Sequence, residues 1–324
     1  MKVGVKMSWK KKLATYTLLT VTVGTTVHLI NKFINTSAIA NNLLKVKNDD
    51  IYHWRFGDIY YEKTGEGSPI LLIHDMNTCS SSYEWNKIVS TLSKTNTVYT
   101  IDLLGCGRSE KPDVTYTNFL YVQLINDFIK NVIKEKTDII ATGESSAIAI
   151  MAAANNNDII DRMILINPVC LKKLSQNPTA QSKILKQLIC LPIIGTFLYN
   201  MLINKKNLKE TFISEYYYNP KKVNDRDVDA YFESAHIHNT NSKYLFASIT
   251  SKYTNANVLN CLKNLSNSIF ILAGRENAAY KEIAEFYQKE LPSIEIVEIE
   301  KTKYLPHMES PKEVIEQIQV LFDL

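Results

Sequence analysis

The sequence predicts an α/β chain: a mostly parallel sheet of eight strands flanked by helices, a helical insertion, and a hydrophobic N-terminal helix. Three observations carry this expectation. Short apolar runs such as PILLIH (69–74), DIIATG (138–143) and IFILAG (269–274) lack the polar alternation of a strand with one wet face, as strands covered on both sides do. Helical patterns separate these runs. The rhythm then breaks over residues 170–245, where the pattern stays helical throughout.

Composition limits the function classes. Hydrophobic residues make up 45% and charged residues 22% of the 324-residue chain, which excludes a disordered or fibrous protein. The five cysteines, Cys79, Cys106, Cys170, Cys190 and Cys261, are scattered without CxxC or CxxH spacing. Neither a disulfide framework nor a zinc site is signalled, and unpaired thiols suit a reducing compartment. No cofactor-binding or metal-binding motif stands out. Residues 1–48 hold eight lysines and no acid, and the rest carries 29 basic against 33 acidic residues. A slightly acidic body gives no electrostatic case for nucleic acid.

The elements follow in order. Residues 13–30, LATYTLLTVTVGTTVHLI, form an uncharged run of 18 just past a lysine cluster, long enough to span a bilayer. Lysines before the run predict a single-pass anchor with its N-terminus in the cytoplasm. Ala38-Ile39-Ala40 leaves a cleaved signal peptide as the alternative. After a connector over 31–50, IYHWRF (51–56) and IYYEKT (59–64) read as a hairpin around Gly57-Asp58. Strands are expected over 69–74, 97–102, 138–143, 162–167, 269–274 and 294–299. Helices are expected over 83–93, 118–135, 146–156, 278–290 and 311–323. The core therefore comprises 51–169 and 246–324. The insertion at 170–245, bent at Pro192 and Gly195, is placed as a lid above the carboxyl ends of the strands, where open α/β sheets bind ligands. Its aromatic residues, Phe197, Tyr199, Phe212, Tyr216, Tyr217 and Tyr218, are expected mainly to pack it.

Chemistry is signalled at Gly143-Glu144-Ser145-Ser146-Ala147, where an apolar strand runs into an alanine-rich helix. This is a Gly-x-Ser-x-small pattern, with Ala147 in the place of the second glycine. Such a turn exposes a serine at a helix N-terminus, where free amides favour an oxyanion.

At this point the chain resembles the α/β-hydrolase family from about residue 51 to the end. LLIHDMNTCSSSYEW (71–85) is similar to the family's oxyanion loop. IDLLGCGRSEKP (101–112) is similar to its Asp-x-x-Gly-x-Gly-x-Ser-x-x-Pro signature, and YLPHMESPKEV (304–314) to its catalytic-histidine loop. The resemblance implies that 170–245 is a cap shaping the substrate pocket. It further implies Ser145 as nucleophile, His307 as general base, and the backbone amides of Met76 and Ser146 as oxyanion donors. His74 matches a supporting residue with no catalytic role. His236 and His238 read as surface residues, and Gly105 with Gly107 as a structural turn without the Lys-Ser/Thr of a phosphate loop.

Two positions depart from the family pattern. Gly274-Arg275-Glu276-Asn277 carries asparagine where the acid belongs, so either Glu276 supplies the carboxylate or Asn277 orients the imidazole as a neutral partner. Asn167, at the alternative acid position, supplies no carboxylate. Asp75 stands where the oxyanion loop normally has glycine, and a carboxylate there repels an oxyanion. The resulting expectation is a membrane-anchored serine hydrolase cleaving an ester or similar acyl substrate through an acyl-enzyme, without a cofactor. The alternative is a catalytically weak or inactive relative binding a small apolar ligand under the cap.

Overall fold

The computed structural model describes residues 9–45 and 50–324. Within helix α1 (Trp9–Ala38), the side chains of residues 10–14 and 18–20 also lie outside the described set. The expected hydrophobic run over 13–30 therefore falls partly on residues that are not described. Among the described residues, no single helix is long and apolar enough to cross a membrane.

After α1 the chain forms strands β1 (Ile51–Trp54), β2 (Gly57–Thr64) and β3 (Ser68–Ile73), a short helix α2 (Val89–Leu92) and β4 (Asn96–Ile101). Helix α3 (Asn118–Phe128), β5 (Thr137–Thr142), α4 (Ser145–Asn155) and β6 (Ile160–Ile166) complete the first half. Seven helices follow: α5 (Leu171–Leu174), α6 (Ala180–Cys190), α7 (Ile193–Leu202), α8 (Lys205–Thr211), α9 (Asp225–His236), α10 (Ser242–Thr250) and α11 (Leu259–Lys263). The chain then returns through β7 (Ile269–Gly274), α12 (Ala278–Glu290), β8 (Glu295–Ile299), α13 (Pro306–Glu309) and α14 (Pro311–Leu321).

The eight strands form one sheet in the order β1-β2-β4-β3-β5-β6-β7-β8. β2 runs antiparallel to β1 and β4, and the remaining pairs are parallel. Every residue of β4, β5 and β7 is buried, which is why these strands read as unbroken apolar runs. One face packs under α3, α4 and α12 through residues such as Phe128, Ile150 and Tyr287. The other packs under α14 through Val314, Ile318 and Phe322. A third cluster inside the insertion gathers Tyr199, Phe212, Tyr217 and Tyr231 against Leu305 and Met308 of the core. The aromatics thus fasten the insertion to the sheet's carboxyl edge.

Two local expectations need correction. The first hairpin turns at Arg55-Phe56, since Trp54 pairs directly with Gly57; Gly57, at φ 145°, begins the return strand. The expected boundary at 245 falls inside α10, which continues to Thr250. The bend at Pro192 is present, and α6 and α7 meet at 102°. Gly195 is required there: a Cβ would lie 2.1 Å from the Ile189 carbonyl oxygen.

Candidate functional site at the strand carboxyl ends

Strand β5 ends at Thr142, and the chain turns sharply at Gly143, whose φ is +55°. Glu144 is already in the helical region, and Ser145 is the first residue of α4. The strained, left-handed position is therefore Gly143. Ser145 lies two residues further on, fully buried, with its Oγ donating to the His74 carbonyl at 2.6 Å. The expected oxyanion donor Ser146 is also engaged, its amide donating to the Gly143 carbonyl at 3.2 Å.

What faces the apex is a carboxyl and a phenol. A Cβ on Gly143 would lie 2.0 Å from the Tyr304 hydroxyl and 2.4 Å from Asp75 Oδ1. The Tyr304 hydroxyl donates to Asp75 Oδ2 at 2.9 Å, and the Glu144 amide donates to Asp75 Oδ1 at 2.9 Å. Burial, reinforced by the charges of Glu144 and Glu84, pushes the Asp75 carboxyl up to about 7, although both hydrogen bonds favour its ionised form. Burial and the adjacent Asp75 hold Tyr304 well above the usual phenol range, so Tyr304 remains a donor.

Neighbouring loops fix this arrangement. Asn167, at φ 43° just after β6, accepts from the Gly274 amide at 3.0 Å. Its Nδ2 donates to the carbonyls of Lys303 and Tyr304, each at 2.9 Å. One side chain thereby ties the ends of β6 and β7 to the loop that carries Tyr304. His74 accepts from the Leu103 amide through Nε2 at 3.0 Å, so its proton resides on Nδ1 and is given to the Asp75 carbonyl at 2.7 Å. Burial lowers its pKa and keeps it neutral, in keeping with the supporting role expected for it.

The other expected site residues lie apart from Ser145. His307 is fully buried, stacks on Trp85 at 4.5 Å, and sets Nε2 3.1 Å from Glu84 Oε1. No hydrogen bond joins His307 to Ser145, whose hydroxyl is committed to the His74 carbonyl. Burial pushes the Glu84 carboxyl up, yet its contact with the His307 imidazole outweighs this and brings the group below its ordinary range. Glu276 is exposed and accepts from the Lys301 amide at 3.3 Å. Asn277 caps α12, accepting from the Ala279 amide at 3.1 Å. Neither is directed to His307. Met76 is buried and lines the cavity described below.

His236 is buried, contrary to the surface reading, because it bonds to the Phe232 carbonyl and packs on that ring. Burial lowers its pKa to about 4. His238 lies in the loop after α9 and bonds to the Arg108 carbonyl. The Gly105/Gly107 turn wraps Asp102, and a Cβ on Gly107 would lie 2.3 Å from that carboxylate. Arg108 donates to Asp102 through its backbone amide and its guanidinium, so the turn's carboxylate is already committed.

A cavity of about 480 Å³ opens above the Asp75–Tyr304 pair. The sheet side supplies Asp75, Glu144 and Tyr304, and the insertion supplies apolar walls including Ile203, Leu208 and Phe246. A larger cleft of about 580 Å³ beside Lys87 and Asp227 includes neither Gly143 nor Tyr304 in its lining.

The family model described as "Alpha/beta hydrolase family" matches residues 70–317. The chain belongs to the α/β-hydrolase family. Over 108 residues it is 26% identical to 2-hydroxy-6-oxo-6-(2'-aminophenyl)hexa-2,4-dienoic acid hydrolase of Metapseudomonas resinovorans, covering 33% of this chain and 37% of that protein. Over 111 residues it is 25% identical to the soluble epoxide hydrolase of Corynebacterium sp. strain C12, covering 34% and 38%. The match thus spans little more than a third of the length of these relatives. Among solved structures, the meta-cleavage product hydrolase of Pseudomonas fluorescens IP01 superposes with a TM-score of 0.65 at 18% identity, covering 82% of this chain and 94% of that one. At that identity the likeness shows the fold.

In an α/β hydrolase the nucleophile stands on the strained strand-to-helix turn, and the amide of the next residue helps to bind the oxyanion. Here Gly143 holds the strained position and Glu144 follows it. Asp75 occupies the Glu144 amide, and Tyr304 reaches the space where a nucleophile's side chain would project. The sequence carried a signal for this: Ala141-Thr142-Gly143-Glu144-Ser145 also has small residues two positions either side of its centre. Read that way, Gly143 is the central residue.

Proposed function

We propose that this α/β-hydrolase-family chain is a ligand-binding protein that forms no acyl-enzyme, with the helical insertion acting as a cap over a pocket for a small apolar ligand. One observation carries the reading: the elbow apex is Gly143, and the Asp75 carboxylate accepts the amide an oxyanion would need. A carboxyl oxygen that already holds that amide leaves it unavailable to a developing oxyanion, and glycine supplies no nucleophile. A cavity of about 480 Å³ with an apolar wall of Ile203, Leu208, Phe246 and Ile249 is within the range of small-molecule sites. The Asp75–Tyr304 pair gives its floor a polar anchor for the ligand's head, and Glu215 and the Lys173–Glu144 ion pair line it as well.

Thermal unfolding in the presence of medium-chain alcohols, ketones and esters tests this reading. Stabilisation that rises with ligand concentration, and that Ile249→Trp removes by filling the cavity wall, is expected. Equal stabilisation of that variant would refute the pocket assignment.

A second reading, hydrolysis of an ester or similar acyl substrate, is favoured by family membership and by the names of the relatives. It would need Ser145 to leave the His74 carbonyl and meet His307, with Glu276 or Asn277 as the third member. We also assign the N-terminal segment to membrane association, on the uncharged run 13–30 behind its lysines, with the N-terminus on the cytoplasmic side.

A further inference from the structure

We propose that the α6–α7 face of the insertion and helix α1 form one continuous surface that docks onto an anionic lipid bilayer. The inference is independent of whether the site hydrolyses or only binds. Helices α6 and α7 and the bend between them expose Ile184, Leu188, Leu191, Ile194, Leu198 and Met201, each at least 40% accessible. The spacing of 184 and 188, and of 194, 198 and 201, sets these side chains along one stripe of each helix. An exposed apolar face of this extent marks an interaction surface. Its shape is fixed by the close approach at Gly195 and by Lys243, which donates to the Leu191 carbonyl inside the bend.

Helix α1 continues the face. Asn31 donates to the Ile193 carbonyl at 3.2 Å and accepts from Asn200 at 3.0 Å, while Asn35 accepts from Thr240 at 2.7 Å. Around this junction α1 exposes Leu29, Ile30 and Phe33, and Trp9 is exposed at its start.

Charge selects the occupant. Residues 171–209 hold seven lysines and no acid, and residues 1–48 hold eight and no acid. These fifteen of the 37 basic residues leave 22 against all 33 acids in the rest of the chain. Lys173, Lys205, Lys206 and Lys209 pair with Glu144, Asp229, Glu210 and Asp225, whereas exposed Lys172, Lys183 and, on α1, Lys32 have no ion pair among the described residues. An apolar face on segments with this lysine surplus complements acyl chains beneath anionic headgroups. The stretch that ends this face also supplies Ile203 and Leu208 to the cavity wall, so a bilayer-bound cap would hold the cavity close to the lipid.

The test is co-sedimentation of the full chain with phosphatidylcholine vesicles, with and without phosphatidylglycerol. Binding is expected to require phosphatidylglycerol, to weaken with salt, and to fall by about tenfold or more in Leu188→Glu/Ile194→Glu/Leu198→Glu, which leaves α1 untouched. These side chains are exposed, so the variant should keep the wild-type melting temperature. Ile194→Trp provides a second readout, with its emission quenched by brominated lipids on binding. Undiminished binding by the triple variant, or an unquenched Trp at 194, overturns the proposal. So does a wild-type chain that ignores vesicles but forms a dimer which the triple variant abolishes, since the face would then belong to a second copy.

Discussion

Gly143→Ala probes the elbow directly, because the added methyl meets two groups at once. At φ +55° a non-glycine residue carries about 1 kcal/mol of backbone strain. The new Cβ would lie 2.0 Å from the Tyr304 hydroxyl and 2.4 Å from Asp75 Oδ1, so Tyr304 has to withdraw. Withdrawal breaks its 2.9 Å bond to Asp75 and leaves a buried carboxyl with one partner fewer, at about 1–3 kcal/mol. Together these terms destabilise the fold by about 2–4 kcal/mol, a fall in Tm of about 3–6 °C for a chain of this size. Ser145→Ala is the control. It removes only the bond to the His74 carbonyl and is expected to lower stability by about 1 kcal/mol. Urea unfolding followed by circular dichroism measures both variants, and Gly143→Ala/Tyr304→Ala should be markedly less destabilised than the sum of its singles. A Gly143→Ala protein as stable as wild type, with no coupling to Tyr304, would show that Gly143 does not face the Asp75–Tyr304 pair.

Two further predictions follow from the same pair and its clasp. Asp75 prefers its proton in the folded state, at about 7 against an ordinary 3.8. Its contribution is therefore complete below about pH 4 and is lost as pH rises towards 7, by up to about 4 kcal/mol. Asp75→Asn should flatten that part of the stability–pH curve, measured by urea unfolding from pH 4 to 8, and an unchanged slope would count against the buried carboxyl. Asn167→Ala removes hydrogen bonds to Gly274, Lys303 and Tyr304. It is expected to destabilise by about 2–4 kcal/mol and to speed amide exchange in the 300–305 loop, whereas unaltered exchange there would dismiss the clasp.

The strands were legible because burial on both faces leaves an apolar run with no polar alternation, as in β5 and β7. The helical insertion was legible from its missing strands, although α10 runs past the expected boundary. The site was harder to read. GESSA and ATGES overlap in one stretch, and the backbone dihedral at Gly143, absent from residue letters, decides which residue takes the apex. His307 drew attention through the motif around it, while Tyr304, three residues earlier, is the side chain that reaches the elbow. Tertiary burial also hid His236, whose partner is a carbonyl four residues back on its own helix.

The most direct test of the central claim, that the elbow carries no serine nucleophile, is intact-mass analysis of the full chain after treatment with a fluorophosphonate probe. No adduct is expected on Ser145, because its hydroxyl is buried and committed to the His74 carbonyl, with no hydrogen bond to His307 to take its proton. An adduct mapped to Ser145, present in Ser146→Ala and absent in Ser145→Ala, would contradict it.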